Sequence, residues 1–297
     1  MLTVPSMFTD VSSVLDEIET QAATLHTGEI RARLRQLSLD DFAEVLLNMP
    51  NPGYPKISAV LPAMASDEVQ RQWTGDCGIA LLRQSVAFVR TVWHSYERST
   101  GKRLADARIL DYGCGYGRLL RLMMYFVDDS RLFGCDPWSS AIELCKQSGI
   151  TNDLQLTDCL PLKLPYVEPS FDLIYAFSVF THLSLRAATT AFGALSTIIS
   201  PGGLLAITFR PVEFWRIHPG KMLSNAERSA LETAHEKHGF AFRPHRNQQP
   251  VDGDITFGDA SMTPEFIART FAKWTILGTE RNLVDPYQRI AYLRLRP

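Results

Sequence analysis

Asp111, Gly113, Gly115 and Gly117 set an acid ahead of glycine at every second position, within Ile109-Leu110-Asp111-Tyr112-Gly113-Cys114-Gly115-Tyr116-Gly117. Glycines so spaced let the backbone turn tightly and lie flush against a ligand, because a Cβ there would occupy the ligand's space. The dinucleotide pattern G-x-G-x-x-G places its third glycine one residue later. A carboxylate at Asp111 would repel a pyrophosphate and attract an ammonium group. Acid and spacing together therefore predict a nucleotide-like ligand with an amino-acid end. Taken alone, the segment also reads as an ordinary strand–loop–helix turn with no ligand.

Further residues narrow the chemistry. Asp136 closes the strand-like run Arg131–Asp136, roughly twenty residues past the glycines, where a ribose-binding carboxylate belongs. Pro137 and Trp138 follow, and the Trp138 ring offers a flat face for a base. A third strand-like run, 153–157, ends at Asp158-Cys159. Just past a fourth, 171–178, lies His182, whose near-neutral imidazole suits it to take a proton from an attacking hydroxyl. Capping of a helix start is the competing reading of His182. No metal is expected: His235-Glu236-Lys237-His238 lacks the i, i+4 histidine pair of H-E-x-x-H and reads as a solvated helix end. His218, His245, Phe240, Phe242, Arg243 and Arg246 read equally as a substrate face or an amphipathic loop. Trp73-Thr74-Gly75 is placed to close over the ligand's amino-acid end.

These residues need strands to carry them. Ile109-Leu110 starts a buried strand, and Arg118 to Met124 an apolar-periodic helix. Leu204–Phe209, introduced by Ser200-Pro201-Gly202-Gly203, makes a fifth strand. From Arg108 to Arg210 strands alternate with helices, which predicts a parallel sheet covered on both faces. Before it come helices near 11–25 and 38–47, a turn-rich stretch over 50–75, and a long helix from Cys77 to about Ser99. After Arg210 the alternation stops, and only a helical piece over 224–238 interrupts an irregular insertion. The helix 263–273 and two closing strands, 274–280 and 288–296, restore the pattern. Residues 1–75 are thus read as a helical cover segment and 76–297 as the main domain, with 211–262 as an inserted substrate cover.

The 297 residues are 45% hydrophobic and 21% charged, which is ordinary for a soluble globular enzyme. A net charge of −2 offers no field for a nucleic-acid backbone, so no nucleic-acid partner is expected. Five cysteines with no C-x-x-C pair fit a reducing, cytoplasmic setting. Neither a signal peptide nor a membrane span is expected.

The acid-x-Gly-x-Gly-x-Gly segment resembles the first motif of the class I S-adenosylmethionine-dependent methyltransferases. Residues 109–118, 170–183 and 200–205 resemble a bacterial group of that family associated with carbohydrate or secondary-metabolite chemistry. The resemblance implies a Rossmann-like α/β fold with a mostly parallel seven-stranded sheet, helices on both faces and an antiparallel pair at its end. A helical N-terminal extension and an insertion after strand 5 would be added to it. The implied cofactor is S-adenosyl-L-methionine. Asp111, Gly113, Cys114, Gly115 and Gly117 would hold its methionine end, Asp136 its ribose, and Pro137, Trp138, Asp158 and Cys159 its adenine, with Phe177 beside it. His182 would serve as base or substrate orienter. Tyr112 and Tyr116 are bulkier than the small residues often found at their positions. The fourth strand lacks the Asn/Asp-Pro-Pro-aromatic ending of enzymes acting on base amino groups. The expected reaction is therefore O-methylation of a small-molecule acceptor, a sugar or secondary metabolite, with a homodimer kept open. A non-catalytic cofactor-binding protein and an NAD(P)-dependent oxidoreductase are the rival readings.

Overall fold

The structure, a computed structural model, describes residues 8–167, 170–217, 223–245 and 249–297. The chain begins with α1 (Phe8–Gln21), α2 (Thr27–Leu34), α3 (Leu39–Leu47), α4 (Pro55–Val60) and α5 (Asp67–Thr74). Ser38 caps α3 by accepting the Asp41 N–H, as its place before Leu39-Asp40-Asp41 predicts. The 50–75 stretch, read as rich in turns, also holds two short helices. Pro55 occupies the first position of α4, and the Glu19 carboxylate accepts from the N–H groups of Lys56 (2.8 Å) and Ile57 (3.0 Å). Ser66 caps α5 through the Val69 N–H. Tertiary contacts hold α2, which shows no strong periodicity. Arg35, just past its end, donates to the carbonyls of Met124 (2.9 Å) and Val127 (2.7 Å), and Arg31 pairs with Asp129.

The long helix α6 (Gly78–Thr100) buries Leu81, Phe88, Val89, Val92 and Tyr96 along one face and stops at Gly101, φ 70°. The alternating core follows: β1 (Ile109–Tyr112), α7 (Arg118–Met123), β2 (Leu132–Asp136), α8 (Ser139–Gln147), β3 (Asp153–Leu156), β4 (Phe171–Ala176), α9 (Leu185–Ile198) and β5 (Ile199–Phe209). After β5 come α10 (Phe214–Ile217), α11 (Asn225–His238), β6 (Phe240–Pro244), β7 (Gly258–Met262), α12 (Pro264–Thr270), β8 (Trp274–Glu280) and β9 (Arg289–Leu295).

Seven strands form one sheet in the order β3-β2-β1-β4-β5-β9-β8. The five strands from β1 to β5 are parallel, and β9 runs antiparallel to both of its neighbours. Alternate residues feed opposite faces, as a doubly covered sheet requires. Ile109, Leu173, Tyr175, Leu204 and Ala206 pack with α6, α7 and the N-terminal helices. Leu110, Ile174, Ala176, Leu205 and Ile207 pack with α9 and α12.

The insertion is more ordered than its composition suggests. β6 and β7 pair antiparallel as a separate two-stranded sheet, where the sequence reading expected a loop. Gly258 permits the close approach, since a Cβ there would strike the Arg243 backbone. Phe214, Trp215, Leu223 and Ala241 form a small core of their own. Among the described residues no helix is long and apolar enough to cross a membrane.

Candidate functional site

In an open parallel sheet, ligands settle beyond the carboxyl ends of the strands, where strand order reverses. Here the chain steps outward from β1 to β2 and β3, then returns to the other side of β1 with β4, so the reversal lies between β1 and β4. Asp111 lies on β1, the glycine loop follows it, and Ser178 and Val179 follow β4. The two loops touch: a Cβ on Gly113 would collide with the Val179 side chain.

All three loop glycines have positive φ, 77° at Gly113, 53° at Gly115 and 79° at Gly117. Their surroundings differ. A Cβ on Gly117 would overlap Ile150 and come within 3.0 Å of the Cys145 sulfur, so that glycine serves packing. A Cβ on Gly115 would meet only the Trp73 ring, at 3.7 Å, so that glycine faces the cleft. The N–H groups of Gly113 (2.8 Å) and Cys114 (3.0 Å) donate to the Cys135 carbonyl, pinning the loop to β2. Buried Cys114 lies against Cys145, whose thiol donates to the Gly115 carbonyl (3.2 Å). Arg121, also buried, donates to the carbonyls of Tyr116 (2.7 Å) and Ala63 (3.0 Å), tying the loop to the chain between α4 and α5.

Asp111 is 2% exposed and joins no ion pair among the described residues. Burial pushes its carboxyl up to about 8; Asp136 adds to the rise, while Tyr175 and Arg118 oppose it. A buried acid so placed favours an arriving cation. Asp136 is buried too, and its two oxygens accept from the N–H groups of Gly115 (2.9 Å) and Trp138 (2.9 Å). These two bonds hold the loop in shape, and a carboxylate has further lone pairs beyond them.

Trp138 is 37% exposed and stands between two other rings, Trp73 at 5.5 Å and Phe257 at 5.3 Å. Trp73 comes from α5 and Phe257 from the segment between β6 and β7, so two parts of the chain far apart in sequence meet at the residue expected to face a base. Pro137 is half-buried between Asp136 and Trp138. Asp158 and Cys159 are exposed past the end of β3, and the Thr157 N–H holds that stretch to the Asp136 carbonyl (3.1 Å). Phe177 packs its ring edge-on against Phe88 of α6, at 4.7 Å, with the Arg118 guanidinium 4.8 Å from the ring centre.

His182 has both ring nitrogens engaged. The Gly258 carbonyl can only accept, so Nδ1 carries the proton and donates to it (2.6 Å), leaving Nε2 to accept from Arg210 Nη2 (3.0 Å). Burial, then the Arg210 charge, depress its pKa to about 3. The main chain is zipped as well, with the Gly258 N–H on the His182 carbonyl (2.8 Å) and the Ala260 N–H on that of Thr181 (2.8 Å). His182 stacks on Phe257 at 5.0 Å and 10°. Arg210, at the end of β5, pairs with Asp259 (2.7 Å), which also accepts from His245 Nε2 (3.0 Å). Burial alone would raise the Asp259 carboxyl, but Arg210, His245 and His182 hold it below the usual range.

Arg210, Asp259, His245 and Phe257 thus gather around His182 from positions far apart in the chain, and no local spacing announces them. Two expectations change. His235 is buried and takes a hydrogen bond at Nδ1 from Ser261 Oγ (2.8 Å), so it departs from the solvated helix end foreseen, while Glu236, Lys237 and His238 are exposed. Phe240 stacks on Phe266 at 5.1 Å, so that ring serves packing. His218 and Arg246 lie outside the described residues.

The strand order, with its glycine loop at the reversal point, is that of an open, Rossmann-like α/β sheet. Residues 110–207 match the family described as a methyltransferase domain. Ribosomal protein L11 methyltransferase of Paraburkholderia phymatum is 30% identical over 133 residues, 45% of this chain and 41% of that protein. The chain thus spans less than half the length of this curated relative. An S-adenosylmethionine-dependent methyltransferase from Clostridium acetobutylicum superposes with a TM-score of 0.47 and 11% identity, over 77% of this chain and 97% of that one. One from Mesorhizobium loti superposes with a TM-score of 0.45 and 16% identity, over 68% and 96%.

Proposed function

We propose that this chain is an S-adenosyl-L-methionine-dependent methyltransferase that methylates a small molecule at oxygen, a sugar or secondary metabolite. One observation carries the reading: a buried acid without a counter-cation, a glycine loop open at Gly115, and a second acid at the next strand end meet at the strand-order reversal. That set fits a ligand with an ammonium end, a ribose and a base. Asp111, Gly113, Cys114 and Gly115 would hold the methionine end, with Gly117 keeping the loop's shape. Asp136 would take the ribose hydroxyls, and Pro137, Trp138, Asp158 and Cys159 would border the adenine. Phe177 would contribute through its main chain, since its ring is committed to α6.

When bound, the cofactor supplies an electrophilic methyl group on a sulfonium. What remains for the chain is alignment, water exclusion and placement of the acceptor, and alignment alone is worth several orders of magnitude in rate. Trp73 and Phe257 would close the two sides of the cleft. His182 belongs to the orienting role rather than the base role, because Arg210 occupies the lone pair a base would need. That engagement is also the observation favouring the second reading, a cofactor-binding protein without turnover.

Calorimetric titration with S-adenosylhomocysteine and with NADH tests the cofactor. Binding of the former alone is expected; binding of NADH alone would replace the reading with an oxidoreductase. Methyl transfer from labelled cofactor to sugar and phenol acceptors then separates catalysis from binding.

A further inference from the structure

The polar network that engages both nitrogens of His182 has another histidine with a nitrogen to spare. Arg210 Nη1 pairs with Asp259 Oδ1 (2.7 Å), and Asp259 Oδ2 accepts from His245 Nε2 (3.0 Å). Side-chain exposure rises along this row, from 9% at Arg210 through 13% at Asp259 to 32% at His245. Despite its burial, Asp259 is held below the usual carboxylate range by Arg210, His245 and His182. A carboxylate can only accept, so its bond puts the proton of a neutral His245 ring on Nε2. The lone pair then sits on Nδ1, which has no hydrogen-bond partner among the described residues.

The ring is also fixed in place. The His245 N–H donates to the Phe257 carbonyl (3.1 Å), and the imidazole meets the Phe257 ring edge-on at 5.6 Å. Asp111 and Asp136, the acids assigned to the methyl donor, lie on β1 and β2, to one side of the strand-order reversal. His182 follows β4 and Arg210 follows β5, so the network stands on the other side. Phe257 forms the wall between them, touching Trp138 at 5.3 Å and His245 from one ring. An acceptor that enters opposite the donor comes in on the network's side, where His245 is its most exposed member.

Resting on the O-methylation reading, we propose that His245, and not His182, is the general base: Nδ1 takes the proton of the acceptor's hydroxyl, and Asp259 positions the ring. The acceptor oxygen keeps the O–H electron pair and bonds to the methyl carbon, leaving the carbon–sulfur pair on sulfur. The positive charge thus passes to the His245 imidazolium beside Asp259, which then releases its proton to water. Arg210 and His182, the other charged or titratable groups of the network, keep Asp259 ionised throughout.

Two readouts test the assignment on the full chain. In imidazole-nitrogen NMR with S-adenosylhomocysteine bound, the neutral His245 ring should carry its proton on Nε2; the opposite tautomer overturns the assignment. In methyl transfer from labelled cofactor to sugar and phenol acceptors, His245→Ala should lower kcat by about 100- to 10,000-fold. S-adenosylhomocysteine binding should be unchanged, the acid limb of the pH–rate profile should disappear, and added imidazole should restore part of the rate. Wild-type kcat in His245→Ala, or a loss whose acid limb persists, overturns the base. If His245→Ala does not fold, His245→Gln, whose amide can donate to Asp259 in place of Nε2, decides: the same loss supports the base, and wild-type kcat overturns it. A wild type that binds S-adenosylhomocysteine but methylates no acceptor refutes the O-methylation reading itself, an outcome distinct from a fully active His245→Ala.

Discussion

Gly115 and Gly117 stand two residues apart with the same motif role and nearly the same backbone conformation, yet their alanine variants should fail differently. Each would force alanine into the left-handed region, at a cost of about 1–2 kcal/mol. For Gly115→Ala that is the whole structural effect, because the new methyl meets only the Trp73 ring at ordinary contact distance. For Gly117→Ala the methyl also overlaps Ile150 and crowds Cys145. Both are buried, at 3% and 0% exposure, so neither has room to swing away. Overpacking of this kind adds about 1–3 kcal/mol. With a midpoint shift of about 2–4 °C per kcal/mol, Gly117→Ala should melt roughly 5–15 °C below the wild type and Gly115→Ala only a few degrees below. Ligand binding should invert the order. The Gly115 methyl projects where the ligand's backbone would lie, so S-adenosylhomocysteine affinity should fall at least about tenfold in that variant while its fold persists. Scanning fluorimetry on the unliganded variants, paired with calorimetric titration of Gly115→Ala, measures both. Equal melting losses, or wild-type affinity in Gly115→Ala, would refute the division of the loop into a packing glycine and a ligand-facing one.

Asp111 is held protonated by its surroundings, so the folded chain keeps a proton that the unfolded chain releases. That unfavourable contribution is absent below about pH 3.8 and grows until about pH 8. Asp111→Asn should therefore stabilise the unliganded protein more at pH 8 than at pH 5 in urea unfolding, while weakening S-adenosylhomocysteine binding. A stabilisation independent of pH would contradict the burial argument. His182 has the opposite sign: the unfolded chain binds a proton below 6.5 that the folded chain refuses down to about 3, so its share of stability falls as pH drops through that window. By NMR its ring should show no titration between pH 5 and 8, and a midpoint near 6.5 would restore it as a base. Asp259→Asn should leave Arg210 buried without its partner and cost about 3–5 kcal/mol in denaturant unfolding. A loss below about 1 kcal/mol would show that the guanidinium finds water instead.

Local signals were legible where one short segment dictates its own conformation. The acid and glycines of 111–117, the caps at Ser38 and Thr263, and the short continuous apolar runs of the parallel strands each carry their geometry in adjacent residues. Three kinds of feature escaped. Short helices such as α4 and α5 add too few turns for periodicity, although Pro55 and Ser66 marked their starts. The β6–β7 pairing joins segments across a long loop, and the glycine that permits it, Gly258, looks like any loop glycine until its neighbour across the sheet is known. The state of His182 is set by Arg210, Gly258 and Asp259, all remote in sequence, so the residue type suggested a base while its contacts make it a neutral, fixed ring.

The sheet's strand order has a consequence for how the chain must assemble. β9 lies between β5 and β8, so β8 reaches the sheet only through β9. On the ribosome, the five parallel strands are complete when β5 emerges. Its outer row of N–H and C=O groups then stays unpaired until residues 289–295 follow. At about 5–20 residues per second, synthesis of the intervening insertion leaves that edge open for roughly 4–16 seconds. An open strand edge is a template for mispairing with other nascent chains. The β8–β9 hairpin therefore acts as the closing piece of the fold, and changes that slow its formation should reduce the yield of folded protein before they alter its final stability.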